Sequence, residues 1–102
     1  MRYSQLQCKD LLELAPRDKK AYEVLENRAN EWQTCAVGDA ARKLRVSALD
    51  LVNFDRQLDK LGIQFMYDIV DRNFKKAKIT MNKIEKRVPG VVLKWKRKKG
   101  LL

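Results

Sequence analysis

Ile63, Val70, Ala77 and Ile84 recur every seven residues, and Tyr67, Phe74, Met81 and Val88 recur in step, four residues after each. Alternating steps of three and four keep apolar side chains on one face of an α-helix, whereas a strand would need a period of two. The spacing predicts a single helix over 63–88, 26 residues and about 39 Å long at 1.5 Å per residue. Phe65, Met66 and Ile69 widen the stripe at its start, so the first half is expected to be buried on more than one side. The second half, with Lys75, Lys76, Lys78, Lys83, Lys86 and Arg87 around a narrower seam, is expected to be more exposed.

The rest of the chain reads as helix too. Its 102 residues include only four glycines and two prolines, too few for a fold of many tight turns. The expectation is an all-α, small helical bundle of four to five helices, with a long C-terminal heptad-patterned helix and a basic tail. Ser4 is read as the cap of a first helix reaching Leu14, before Pro16. A second helix runs from Arg17 to Thr34, with Ala21, Leu25, Ala29 and Trp32 as its core stripe. Gly38 and Asp39 mark a turn, followed by a short helix over 40–44 and another from Ser47 to Gly62. Pro89 and Gly90 are taken as the stop of the long helix. The boundaries are thus a single helical domain over 1–88, holding a helix-turn-helix-like segment at 37–62, and a basic tail over 89–102. In that tail Val91, Leu93 and Trp95 alternate with Val92, Lys94 and Lys96, which fits either a short strand or a mobile arm.

Charge is distributed unevenly. Residues 1–38 carry six basic and six acidic side chains, 39–71 five and six, and 72–102 twelve basic residues and one acid, Glu85. The whole +10 excess therefore lies in the last third, and an anionic partner should meet that end first. The candidate nucleic-acid-binding residues are Lys75, Lys76, Lys78, Lys83, Lys86, Arg87, Lys94, Trp95, Lys96, Arg97, Lys98 and Lys99. The cations would follow a phosphate backbone, and Trp95 would either stack on a base or fold back on the core with Val91 and Leu93.

Little points to catalysis. The sequence has no histidine, and Gly38, Gly62, Gly90 and Gly100 stand alone, so there is no glycine-rich phosphate loop. Asp68 and Asp71 share a helix face but read as solvated surface rather than an ion site. Cys8 and Cys35 match no metal spacing and are expected to be free, partly buried thiols. The expectation is a non-enzyme with no catalytic residue, cofactor, metal or small-molecule substrate. No apolar run is long enough to span a bilayer and the N-terminus lacks the core of a secretory signal, so a soluble intracellular protein is expected.

Val37 to Arg56, VGDAARKLRVSALDLVNFDR, resembles the helix-turn-helix of the MerR and excisionase group, with Ala41, Ser47, Leu51, Phe54, Asp55 and Arg56 at the matching positions. The resemblance implies close helix approach at Ala41, a crossing angle fixed by Leu44, Val46, Leu51 and Phe54, and base readout by Asn53, Arg56 and Gln57. Ala48, Leu49 and Val52 are the further positions that such a motif would turn toward DNA. Arg45 stands where glycine is usual in the turn, and Asp50 and Asp55 place acids on the would-be recognition helix.

Two functions follow as expectations. One is a nucleic-acid-binding protein, either a small regulatory or packaging factor of a phage or mobile element or a ribonucleoprotein component, acting on DNA or RNA. The other is a helical accessory subunit or adaptor. It would dock Ile63, Tyr67, Val70, Phe74, Ala77, Met81, Ile84 and Val88 as a coiled-coil seam on a partner helix, and lay its basic end on an acidic protein or membrane surface. Homodimerisation through that seam fits either.

Overall fold

The computed structural model describes residues 2–32 and 35–102, apart from the side chain of Trp32, so that member of the expected stripe and Thr34 lie outside the described residues. A 3-10 turn over Tyr3–Gln5 precedes six α-helices: α1 Cys8–Leu14, α2 Lys19–Trp32, α3 Cys35–Lys43, α4 Ala48–Phe54, α5 Arg56–Val70 and α6 Phe74–Lys98. The fold is all-α, with no strand among the described residues.

Several boundaries differ from expectation, each for a visible reason. Ser4 sits in the 3-10 turn and caps nothing; α1 starts only at Cys8. The N-terminal turn is held by the Arg28 guanidinium, which donates to the carbonyls of Tyr3, Ser4 and Leu6, and by the Tyr3 hydroxyl, which donates to Asp18 Oδ2 at 2.7 Å. Asp18 also accepts from the amides of Lys20 and Ala21 and so caps α2. Gly38 and Asp39 form no turn but lie inside α3, where Asp39 Oδ2 accepts from the Cys8 amide at 2.6 Å and ties α1 to α3.

The helix expected from Ser47 to Gly62 is broken at Asp55, whose extended backbone ends α4 and whose side chain accepts from the Gln57 amide to open α5. The largest departure is that 63–88 is not one helix. α5 stops at Val70, Arg72 takes φ 57°, and Asn73 caps α6 by accepting from the Lys76 amide at 3.1 Å. Two amides close this end: Arg72 N–H donates to Ile69 O and Asn73 N–H to Asp68 O, the pair of bonds of a Schellman stop. The heptad does not mark one buried face across the break: α5 turns Leu58, Phe65 and Ile69 to the core and leaves Tyr67 and Val70 exposed, and only from Ala77 onward does the seven-residue pattern face inward.

Helix α6 also does not stop at Val88. It continues through Pro89 and Gly90 to Lys98, and a Schellman stop built on Gly100, at φ 72°, ends it. Pro89 removes the donor that would have met the Glu85 carbonyl, a local cost offset by burying Val88, Val91 and Val92 beyond it. The expected separate tail is therefore the last three turns of a 25-residue helix, neither a strand nor a mobile arm.

The core draws on every helix: Leu11 and Leu12 from α1, Ala21, Leu25 and Ala29 from α2, Val37 and Ala41 from α3, Leu51 from α4, Leu58, Phe65 and Ile69 from α5, and Ala77, Met81, Ile84 and Val88 from α6. Fully burying a leucine-sized side chain contributes about 1.5–3 kcal/mol, so these stripes hold the bundle. Helix α6 lies along α5 and α3 and also touches α4 and α1, making it the spine. Cys8 and Cys35, expected as free thiols, are joined in a disulfide between the first turns of α1 and α3, with Cα atoms 6.2 Å apart.

Candidate nucleic-acid interface

The expected seam divides. Ala77, Met81, Ile84 and Val88 are buried within the chain's own core and cannot present a docking edge, while Tyr67 and Val70 are about half exposed on the outer side of α5. Ile63 and Phe74 are intermediate, and Phe74 packs edge-on against Tyr22 with ring centroids 6.0 Å apart.

Burying one face of α6 turns its other sides outward, and the basic residues sort by direction. One row faces the body. Lys76 Nζ is 4.0 Å from Asp68 Oδ1, Arg87 Nε donates to Asp55 Oδ2 at 2.7 Å, and Lys98 Nζ lies 5.7 Å from the Phe54 ring centroid. These three cations clamp α6 onto α5 and α4. Lys94 is exposed and forms no ion pair, but it lies five full turns from Lys76, at the edge of this row, and its charge reaches Asp55. By contrast, Lys75, Lys78, Lys83, Lys86, Lys96, Arg97 and Lys99 form no ion pair among the described residues, and all but half-buried Lys96 are exposed. They make the outward cationic face.

The sorting has a signal in the sequence that boundary errors concealed. Lys76, Arg87 and Lys98 are spaced by 11 residues, as are Lys75, Lys86 and Arg97, and as are Lys83 and Lys94. Eleven residues complete three helical turns with only about 20° of drift, so each set forms one row along the axis. Glu85, the one acid of α6, is exposed and lines a cleft of about 520 Å³ between α1 and α6. Glu13, Lys9, Arg17, Lys75 and Lys78 rim the same cleft, so its charge is mixed.

Trp95 is half-buried against the core rather than projecting with the lysines. It lies on the same side of α6 as Ile84 and Val88. Leu93, grouped with Val91 in the fold-back alternative, is half exposed; Val91 is buried, and Val92 is buried in place of Leu93.

The helix-turn-helix-like segment is α3, a turn over 44–47 and α4. Arg45 adopts φ 57°, the left-handed conformation for which glycine is usual, and the amides of Arg45 and Val46 donate to the carbonyls of Arg42 and Ala41. Ser47 caps α4, its Oγ accepting from the Asp50 amide at 3.4 Å. Ala41 and Leu51 are buried and Val46 and Phe54 half-buried between the helices, but Leu44 is 38% exposed and does not help lock the crossing.

Leu49, Asp50 and Asn53 are exposed on α4, and Arg56 and Gln57 on the first turn of α5. The Asp55–Arg87 pair joins this α4–α5 corner to the second half of α6, bringing together the two groups of candidate residues that lie far apart in sequence. Arg87 holds the Asp55 carboxyl below its ordinary pKa of 3.8, with the nearby Lys94 charge adding to the effect. Asp55 is thus engaged by cations of its own chain rather than offered to an incoming phosphate.

Cys8, Cys35 and Asp39 place their ligand atoms within 4.8 Å of one another, the one such grouping among the described residues. Its donors are already committed, the sulfurs to each other and the carboxylate to the Cys8 amide and Arg42. Asp68, expected at a solvated surface, is buried and accepts from Thr80 Oγ1 at 2.8 Å and Gln64 Nε2 at 2.7 Å, while Asp71 is exposed. None of the described helices is long and apolar enough to cross a membrane.

No protein-family model matches the chain, and no curated protein or solved structure does either.

Proposed function

We propose that this protein binds a nucleic acid along the outward face of α6, with the α4–α5 corner flanking the contact, and that it does so without catalysis. The observation that carries the reading is the division of α6: one cationic row is used to hold the helix down, and the remaining cations, all exposed but Lys96, form no ion pair among the described residues. A merely solvated helix face would intersperse acids for self-neutralisation, and here the helix carries one acid, Glu85, against ten basic side chains. Phosphate attraction supplies the affinity, and Asn53, Arg56 and Gln57 are the side chains able to reach base edges from the corner.

The adaptor reading keeps less support. Of the seam it would use, only Tyr67 and Val70 are substantially exposed.

Binding is tested by fluorescence anisotropy with labelled DNA and RNA across a salt series. Each phosphate neutralised on duplex DNA lowers log K by about 0.9 per tenfold rise in salt, and about four to six outward cations in contact give a slope near −4 to −5. Binding indifferent to salt, or absent at low salt, overturns the proposal.

A further inference from the structure

The basic rows of α6 have a fixed pitch. Lys75, Lys86 and Arg97 stand on one nearly straight line, and Lys83 and Lys94 on a second line beside it. Eleven residues advance about 16.5 Å along a helix axis, so the first row spans about 33 Å. All five side chains are exposed, and none forms an ion pair among the described residues.

A line drawn along a DNA duplex crosses its two phosphate strands in turn. Three successive crossings span one helical repeat, about 34 Å, and so recur on average every 17 Å. The two grooves are unequal, so alternate crossings depart from that mean, and the flexible four-carbon stems of the lysines span the offset. We infer that the polyanion is double-stranded DNA lying along α6, with Lys75, Lys86 and Arg97 at three successive backbone crossings. This inference rests on the nucleic-acid reading above and narrows it to one substrate class.

The aromatic residues point the same way. Proteins that hold single strands stack bases on exposed aromatic rings beside a cationic groove. The outward face of α6 offers none, because Phe74 is packed against Tyr22 and Trp95 lies against the core on the side of the helix opposite Lys86. Double-stranded RNA is A-form, and its altered grooves break the match to the B-form half-turn.

The test uses the full chain and anisotropy at a single salt concentration. The probes are a DNA duplex of about two turns, each of its strands alone, and an RNA duplex of the same sequence. The expected result is affinity for the DNA duplex about tenfold or more above the other probes. A charge-conserving variant, Lys86→Ala with Asn27→Lys, moves the middle cation from α6 to α2 while both positions stay on the exposed surface. Duplex affinity should then fall about threefold or more, with single-strand affinity and helical circular dichroism unchanged. Equal affinity for strand and duplex, preference for the RNA duplex, or indifference to the displaced cation overturns the duplex inference and leaves the nucleic-acid reading standing. Failure to bind any probe at low salt overturns both.

Discussion

Arg87 on α6 grips Asp55 between α4 and α5 with two hydrogen bonds, Nε to Oδ2 at 2.7 Å and Nη2 to Oδ1 at 3.2 Å. The same carboxylate caps α5 through the Gln57 amide, so one side chain fixes both the α4–α5 corner and its attachment to the spine. Asp55→Ala removes a cap and an ion pair together, and urea unfolding should show a loss of about 1–2 kcal/mol. Arg87→Ala leaves the cap and should cost less, since the Arg87 side chain is 42% exposed and screened by solvent.

The pH dependence of this pair has a definite sign. Asp55 titrates below its ordinary value of 3.8 in the folded chain, chiefly because Arg87 hydrogen-bonds the ionised form. Its contribution is fully present above 3.8 and is lost as pH falls through the lower folded value. Asp18, held down by the Tyr3 hydroxyl and the Ala21 amide, adds a contribution of the same sign. Thermal melts stepped downward from pH 5 should lose less between pH 4 and 2 in Asp55→Asn than in the parent chain; identical losses would remove Asp55 from this account.

Two members of one heptad pattern should behave oppositely. Ile84 is fully buried whereas Val70 is 47% exposed. Ile84→Ala is expected to cost about 2–5 kcal/mol in urea unfolding, and Val70→Ala less than about 0.5 kcal/mol. Similar costs at the two sites would contradict the break at Arg72 that separates them.

That contrast marks how far the sequence could be read. The apolar periods of three and four revealed a helical bundle and most of its core, because buried faces must repeat with the helix. The break inside 63–88 escaped notice because its left-handed position holds Arg72 and not glycine, while the stripe resumes in phase at Phe74 and Ala77. Arg45 takes the same conformation at the end of α3, an end that the expected helix over 40–44 placed within one residue, and stacking of the Arg72 guanidinium 4.1 Å from the Tyr22 ring centroid helps hold the turn before α6. Pro89 and Gly90 erred in the other direction. Their local preference against helix is outweighed by burial of Val91 and Val92, which only tertiary contacts reveal. Of the candidate site, the charge imbalance was legible from composition along the chain. Which cations point outward was not, because direction depends on where α6 begins and ends.

The Pro89–Gly90 pair gives a fourth prediction. Pro89→Ala restores a donor for the Glu85 carbonyl and should stabilise the chain by about 1–3 kcal/mol. Gly90→Ala should add about 0.5–1 kcal/mol, since a methyl group there meets no atom within 4 Å. If α6 were instead interrupted at this pair, neither change would raise the melting temperature.

The disulfide closes a loop between residues whose sequence separation is 27, for which the chain-entropy relation gives about 3.5 kcal/mol. Cys35→Ser, or reduction by dithiothreitol, should lower the urea midpoint correspondingly while helical circular dichroism persists, because Leu11, Leu12 and Ala15 still anchor α1. A parent chain that carries two titratable thiols under non-reducing denaturation would disprove the pairing.

The two rows of α6 separate charge from placement. Lys75→Ala/Lys86→Ala/Arg97→Ala and Lys76→Ala/Arg87→Ala/Lys98→Ala each remove three positive charges at 11-residue spacing, so long-range attraction falls by the same amount in both. The first set takes nothing from the body of the fold. It should leave the melting temperature near the parent's while lowering affinity for nucleic acid by about tenfold or more, and its salt slope should shrink by about 2.7, or 0.9 for each lost phosphate contact. The second set gives up the contacts to Asp68, Asp55 and Phe54 and should cost about 1–2 kcal/mol of stability with a smaller change in salt slope. Equal reductions in slope from the two triples would mean that total charge alone governs binding, because only cations that touch phosphate release counterions one for one.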